Sequence, residues 1–390
     1  MGAATKKIAV VAAFPLYELK SFGPSFYPKG HFATWLPQLA ATWEDQPHFE
    51  IHWIVGSDRV QQASSHRQWN QRFHVYPASR RGRATTLYRQ DRRFIGEILT
   101  NIKPGLVHPW GTEDVCGFAG VLSQAPCILS MQGILSHIVQ HGLHHPRVYF
   151  QAVLEGFCLR RAAWVTVESD WGRQKILPFR GKRPVEVIEY GVHPDFFKAR
   201  WEPNIHKPRF LFLGTICAQK GVQDCLAAFR DPRMSQARLE IFGSGDPQYV
   251  QRLQAASPPN VAWRGRQPRE VVIRAMEKAT GLILPTRADT SPNVVKEARV
   301  VGLPVIVSPQ GGQVAYVKNG EDGFVVPTKD INRLVSATAQ LSQNPSLVLK
   351  MGELGRLRYR EKFLPLKTAE AFLGLYRKAF ANLSVNSPHP

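Results

Sequence analysis

Residues 284–298 read Leu284-Pro285-Thr286-Arg287-Ala288-Asp289-Thr290-Ser291-Pro292-Asn293-Val294-Val295-Lys296-Glu297-Ala298. An apolar run ends at Pro285, a polar loop carries Asp289, and a helix is predicted to start near Ser291-Pro292. Ser suits the N-cap and Pro the first helical turn. The amides at such a helix start have no partners within the helix, and with the helix dipole they form an anion site of the kind that takes a diphosphate. Glu297 lies in the second turn, where a carboxylate can accept charge-assisted hydrogen bonds from vicinal sugar hydroxyls. Read singly, Asp289 and Glu297 would be a loop acid and a helix-surface acid.

Outward from this stretch the same rhythm repeats. Arg209–Leu213 ends at Gly214, Arg238–Phe242 ends at Gly243, and Gly281–Leu284 and Pro304–Val307 follow. Helical sequence lies between them at Val222–Arg230, Pro247–Ala255, Arg269–Lys278 and Asn293–Val301. The first half has apolar runs at Ile8–Phe14, Phe49–Val55, Leu106–His108, Ala125–Ser130 and Trp164–Val167, with an amphipathic stretch at His31–Trp43. Continuous rather than alternating apolar strands, interleaved with helices, indicate parallel sheets covered on both faces. The Pro/Gly-marked segment from Tyr190 to Pro194 starts a junction near residues 191–206. The expected architecture is α/β, with two Rossmann-like doubly wound domains whose strand ends face each other across a cleft.

The chain has 390 residues, 44% of them apolar and 21% charged, which fits two or three domains and excludes disordered, collagenous and disulfide-scaffold classes. Fifty Lys and Arg against 30 Asp and Glu give a net charge of +20, which draws polyanions: phosphate-bearing substrates, nucleic acid or an anionic membrane. The five cysteines form no C-x-x-C pair or zinc-type spacing, so reduced thiols and a cytoplasmic location are expected. No metal or other cofactor is expected. Lys6-Lys7 and the short apolar run after them read as a buried strand rather than a signal peptide. No apolar stretch approaches the roughly 18–20 residues needed to cross a bilayer, so membrane association would be peripheral.

Asp289-x7-Glu297, followed by Gly302-Leu303-Pro304-Val305-Ile306-Val307 and Gly311-Gly312, resembles the donor half of a GT-B glycosyltransferase of the retaining family 4 type (group 1). That family has E-x7-E here, so the first acid is one methylene shorter in this chain. The resemblance implies that Asp289 faces the donor sugar and Glu297 the ribose. It extends to Phe210–Gly214 with Gln219-Lys220-Gly221, where Lys220 would neutralise the leaving diphosphate, to Gly243-Ser244-Gly245-Asp246, and to Gly265, which would approach the nucleotide base. Gly214, Gly243, Gly265, Ser291, Pro292 and Asn293 complete the implied donor site. Thr215 replaces the family's frequent Arg after the strand glycine, and Arg287 or Lys296 could substitute. The full G-x-G-x-x-G is missing, since position 248 is Gln248, which argues against a Rossmann dehydrogenase.

In the first half the resemblance is thinner. The loop Pro15–Gly30 occupies the place of a glycine-rich loop but keeps only Gly23 and Gly30. His108 at a strand end is expected to position the acceptor, unless it is a hydrogen-bonded structural histidine. Glu113 and Gln132 are the other acceptor or sugar contacts, Gln132 standing where the family has His. A neutral amide binds hydroxyls but does not act as acid or base near neutral pH. The family's front-face mechanism needs no enzymic nucleophile, so catalysis would be orientation and stabilisation of the departing diphosphate. His137, His141, His144 and His145 form a dense group whose spacing equally suits a solvated helix and loop.

Arg67 to Arg93 contains eight arginines against the single acid Asp91, and is either a docking surface for an anionic membrane carrying lipid-linked acceptors or a solvated charged face. No nucleic-acid motif accompanies it. The segment after Tyr359 resembles the family's closing helix, so the expected division is 1–195 for the acceptor domain, 196–362 for the donor domain, and 363–390 for a helix crossing back and a disordered tail. The function implied is transfer of a sugar from a nucleotide-diphosphate sugar to a hydroxyl of a glycan or lipid-linked glycan in surface-polysaccharide synthesis. The rival is a non-catalytic polyanion- or membrane-binding protein on a degenerate GT-B fold. Glycoside hydrolysis lacks a second carboxylate pair with a motif.

Overall fold

The computed structural model describes residues 5–23, 26, 35–79, 83, 85–140 and 145–385. Gly30, Arg80, Arg81, His141, His144 and the last five residues lie outside the described residues. The chain forms two compact units, Met1–Tyr190 with Pro365–Pro390, and Gly191–Leu364.

The first unit contains β1 (Lys6–Val11), β2 (Phe49–Ser57), β3 (Ser64–Gln68), β4 (Gln71–Pro77) and β5 (Leu106–Pro109), in the order β3-β4-β2-β1-β5. A second group, β6 (Ile128–Ser130), β7 (Trp164–Val167) and β8 (Val185–Val187), runs in sequence. Bridges Val107↔Cys127 and Trp110↔Ser130 join β5 to β6. Every pairing is parallel except β3 with β4. β1 is buried from Ile8 to Val11, as a central strand covered on both faces must be.

The β3–β4 hairpin is absent from the sequence reading. Its turn residues Trp69 and Asn70 both have positive φ (50° and 55°), the geometry of a type I′ turn. Trp in place of the usual Asn or Gly hides that signal. Trp69 is held there by packing against Phe14 and Phe73.

The second unit is a six-stranded parallel sheet of β9 (Arg209–Leu213), β10 (Arg238–Phe242), β11 (Val261–Gly265), β12 (Gly281–Leu284), β13 (Val305–Val307) and β14 (Gly323–Val325). Its order is β11-β10-β9-β12-β13-β14. The chain winds outward from β9 in one direction, then returns to β12 and winds in the other, so the switch point lies between the carboxyl ends of β9 and β12. Ligands of doubly wound sheets bind at that position.

The helix Pro365–Val385 belongs to the first unit. Phe372, Tyr376, Ala379 and Phe380 are buried in the same core as Trp43, Phe49 and Trp53. Trp43 Nε1–H donates to the Ala369 carbonyl at 3.2 Å.

Candidate functional site

Three strand-end glycines line up across the second sheet. The Gly214 N–H donates to the Phe242 carbonyl (3.1 Å), and the Gly243 N–H donates to the Gly265 carbonyl (2.9 Å). Gly243 has φ 142°, and an added Cβ would fall inside the van der Waals radius of the Gly214 carbonyl oxygen, so the turn after β10 accepts no side chain.

Beside them, the turn Ala218–Lys220 is tied to the loop after β12. The Arg287 N–H donates to the Gln219 carbonyl (2.7 Å) and Gln219 Nε2 to the Ala288 carbonyl (2.6 Å). Arg287 Nη1 donates to the Ala218 carbonyl (2.7 Å), and Nη2 reaches both carboxylate oxygens of Asp224 at 3.0 Å. Gly221, at φ 78°, lets the turn lie directly against the Pro285 carbonyl. These ties bring the Lys220 ammonium into an ion pair with the Asp289 carboxylate, at side-chain exposures of 23% and 13%. Two residues separated by 69 positions therefore meet at the switch point. The Asp289 carbonyl accepts from the Gly312 N–H at 2.9 Å, which explains the Gly-Gly turn downstream.

The helix after this loop runs Asn293–Val301, with Pro292 at the N-cap and no side-chain capping bond. Ser291 is therefore not the cap: its hydroxyl lies 2.7 Å from the Tyr316 hydroxyl, which fixes the loop instead. The helix is anchored further along by the fully buried Arg299–Asp322 ion pair (2.8 Å). Glu297 projects from it half-buried, and burial raises its carboxyl to about 7, against the opposing charges of Lys296 and Arg269.

The two proposed substitutes for the missing arginine do not serve. Arg287 is spoken for by Asp224 and the Ala218 carbonyl, and Lys296 is completely buried. Sequence reasoning missed Asp224, because an acid four residues after Lys220 on a helix carries no signal of its own.

In the first unit, Glu113 and Gln132 flank Gly111: a Cβ there would meet the Glu113 carboxylate and lie 3.6 Å from the Gln132 amide carbon. Glu113 accepts the Gly133 N–H at 2.6 Å, and burial raises its pKa while that hydrogen bond opposes the rise. Beneath them the buried Glu155 accepts from Thr112 Oγ1 (3.0 Å) and from the Leu135 and Ser136 amides (2.9 Å each), joining the loops after β5 and β6. Nothing in the sequence distinguished Glu155.

His108 is corrected to a core residue. It is wholly buried, with Nδ1 2.5 Å from the Tyr376 hydroxyl and Nε2 2.7 Å from Ser130 Oγ, and burial lowers its pKa to about 3. Both ring nitrogens are used within the fold, so none is left for an acceptor. The described arginines of 67–93 lie on different elements, and several have acidic partners. Arg67 and Arg72 are cross-strand partners on the hairpin, Arg83 binds Asp91 and Asp114, and Arg93 pairs with Glu97. His145 Nδ1 caps a helix by accepting the Arg147 N–H, and His137 packs edge-on against Trp171. Among the described residues no group of three His, Cys, Asp or Glu could hold a metal, and no helix is long and apolar enough to cross a membrane.

Comparison with known proteins agrees with this geometry. Residues 207–344 match the family glycosyl transferases group 1. The amylovoran biosynthesis glycosyltransferase AmsK of Erwinia amylovora is 24% identical over 240 residues, covering 58% of this chain and 57% of AmsK. Glycogen synthase of Mycobacterium tuberculosis is 25% identical over 213 residues, half of each chain. The chain thus spans about half the length of the curated relatives it matches. Among solved structures, sucrose-phosphate synthase from Thermosynechococcus elongatus superposes with a TM-score of 0.79 at 18% identity, covering 97% of this chain and 100% of that one. Anabaena HepE in complex with UDP-glucose gives 0.69 at 14% identity, covering 95% and 99%. Residues 207–344 thus carry the sequence pattern of the group 1 glycosyl transferases, and the chain has the GT-B fold of the solved structures on which it superposes.

Proposed function

We propose that this chain transfers a hexosyl group, with retention of anomeric configuration, from a nucleoside diphosphate sugar to a hydroxyl of a glycan or lipid-linked glycan. The observation that carries this reading is the meeting of Lys220 and Asp289 at the β9/β12 switch point, beside the start of helix Asn293–Val301 and one helical turn from Glu297. Lys220 and the amide-bearing start of that helix receive the diphosphate, which needs no metal in this scheme. When the diphosphate takes over the ammonium, Asp289 is released towards the sugar. Glu297, with its carboxyl near 7, accepts hydrogen bonds from the ribose when ionised.

In the reaction the acceptor oxygen bonds to the anomeric carbon as the sugar–phosphate C–O bond breaks. The electron pair leaves with the diphosphate, whose oxygen takes the acceptor proton on the same face. Stabilising that departing charge is the main task of the site. HepE, whose solved structure holds UDP-glucose, supports a uridine donor, and AmsK, named for amylovoran biosynthesis, supports a polysaccharide product. Glu113 and Gln132 are the acceptor-side contacts.

Calorimetric titration of the chain with UDP and with GDP tests this. Binding of one of them, weakened about ten- to a hundredfold in Lys220→Ala, is expected. Failure of the wild type to bind either would favour a non-catalytic polyanion-binding protein.

A further inference from the structure

Helix Pro146–Arg161 turns an apolar stripe to the outside. Tyr149, Phe150, Val153 and Phe157 are all exposed, Val153 to 72%. At 100° per residue these four fall within an arc of about 100°, so they form one face. The opposite face is the normal inward one, with Gln151, Glu155, Cys158 and Leu159 buried. At its inner edge Phe157 rests on the core residue Phe118 (5.9 Å), and on the other side Phe150 shares with the exposed Leu87, Pro146, Arg83 and Arg147 a groove of about 610 Å³. Contiguous exposed apolar surface of this kind marks an interaction site.

Cations predominate among the exposed charges along this helix and the segment after it. Arg147, Arg160, Arg161, Lys175, Lys182 and Arg183 are exposed. Of the three acids between His145 and Arg183, Glu155 and Glu168 are buried and Asp170 is paired with Arg173 (2.8 Å). An apolar helix face bordered by cations is the composition of an interfacial helix that enters the headgroup layer. A second copy of a chain with net charge +20 would set like charges opposite each other.

From these observations we infer that the face built on Pro146–Arg161 docks on an anionic phospholipid bilayer, Val153 and the aromatic residues entering the headgroup boundary and the arginines meeting phosphates. The inference rests on the reading above only for its purpose, which is to bring the acceptor-side unit to lipid-linked acceptors. It differs from the arginine-run expectation in placing the contact on this helix rather than on the hairpin carrying Arg67 and Arg72.

The test is flotation of the full chain with phosphatidylcholine vesicles, with and without phosphatidylglycerol. Binding is expected only to the anionic vesicles. Val153→Glu is expected to lower it at least tenfold, and the hairpin variant Arg67→Ser/Arg72→Ser to change it less than twofold. Val153 is exposed on a helix, and an unchanged unfolding midpoint verifies that its variant folds. The inference is overturned if the wild type does not float, if Val153→Glu floats as well as wild type, if the hairpin variant alone abolishes binding, or if sedimentation shows a dimer that Val153→Glu dissolves. UDP titration without lipid reports on the donor site separately, so failure here leaves that reading standing.

Discussion

The Lys220–Asp289 pair leads to opposite effects at its two ends. If the ammonium is the diphosphate's partner, Asp289 competes for it whenever the donor is absent. At about 4 Å and an effective dielectric near 20, two unit charges attract by about 4 kcal/mol before desolvation and ordering are subtracted. With both side chains partly open to solvent, the net value falls to about 1 kcal/mol. Asp289→Asn is therefore expected to tighten UDP binding about fivefold while removing most transfer. Lys220→Ala deletes a charge-assisted hydrogen bond of about 1.5–3 kcal/mol and is expected to weaken UDP binding about ten- to a hundredfold. Isothermal titration of the two variants and wild type, at low and moderate salt, measures both. The reasoning fails if Asp289→Asn weakens binding as much as Lys220→Ala does, because Asp289 would then be holding the lysine in place rather than competing for it.

Glu297→Ala is expected to abolish most transfer with the fold intact, as measured by product formation and circular dichroism. Because the Glu297 carboxyl rises from an unfolded value near 4.5 to about 7, the folded form holds its proton more tightly, so stability is highest below pH 4.5 and declines as pH rises to 7. Glu297→Gln should remove up to about 3 kcal/mol of that decline, read from urea midpoints at pH 5 and pH 8. His108 works in the reverse sense. Its pKa is lowered to about 3, so its stability contribution is complete above pH 6.5 and lost as pH falls towards 3. His108→Ala would leave the buried Tyr376 hydroxyl without this partner and Ser130 with Thr166, and cost about 2–4 kcal/mol in thermal or urea unfolding, with little change in kcat of the folded fraction. Gly243→Ala forces a side chain onto the Gly214 carbonyl and should cost more than about 2 kcal/mol along with nucleotide binding, by unfolding and titration.

The second unit was largely readable because its signals are local. β9, β10 and β12 begin and end where the apolar runs do, and the turn at Gly243 needs a residue without Cβ. That Lys220 and Asp289 belong together followed only from resemblance, since contact across 69 positions leaves no trace in either residue's neighbours. His108 shows the opposite failure. A histidine at a strand's carboxyl end looks the same whether it faces a ligand or Tyr376, and its partner lies 268 residues away. Asp224, Glu155 and the Trp69-Asn70 turn were invisible for the same reason: each depends on tertiary partners that override local preference. The arginines of 67–93 looked like a patch because sequence counts neighbours in the chain. Folding sends the described ones to a hairpin, a loop and a helix, and brings Glu50 and Asp114 to two of them.

Because Phe372, Tyr376 and Phe380 complete the core around Trp43 and Phe49, the first unit is assembled from two stretches of chain with the second unit between them. On the ribosome, the usual sequence of events, in which the earliest-made domain folds first, is then inverted. The contiguous stretch Gly191–Leu364 can finish while its predecessor waits, its aromatic floor open, for a helix that follows it in the chain. Growth of the nascent chain would pass through a stage that invites chaperones, and slow translation of the helix Pro365–Val385 would prolong it.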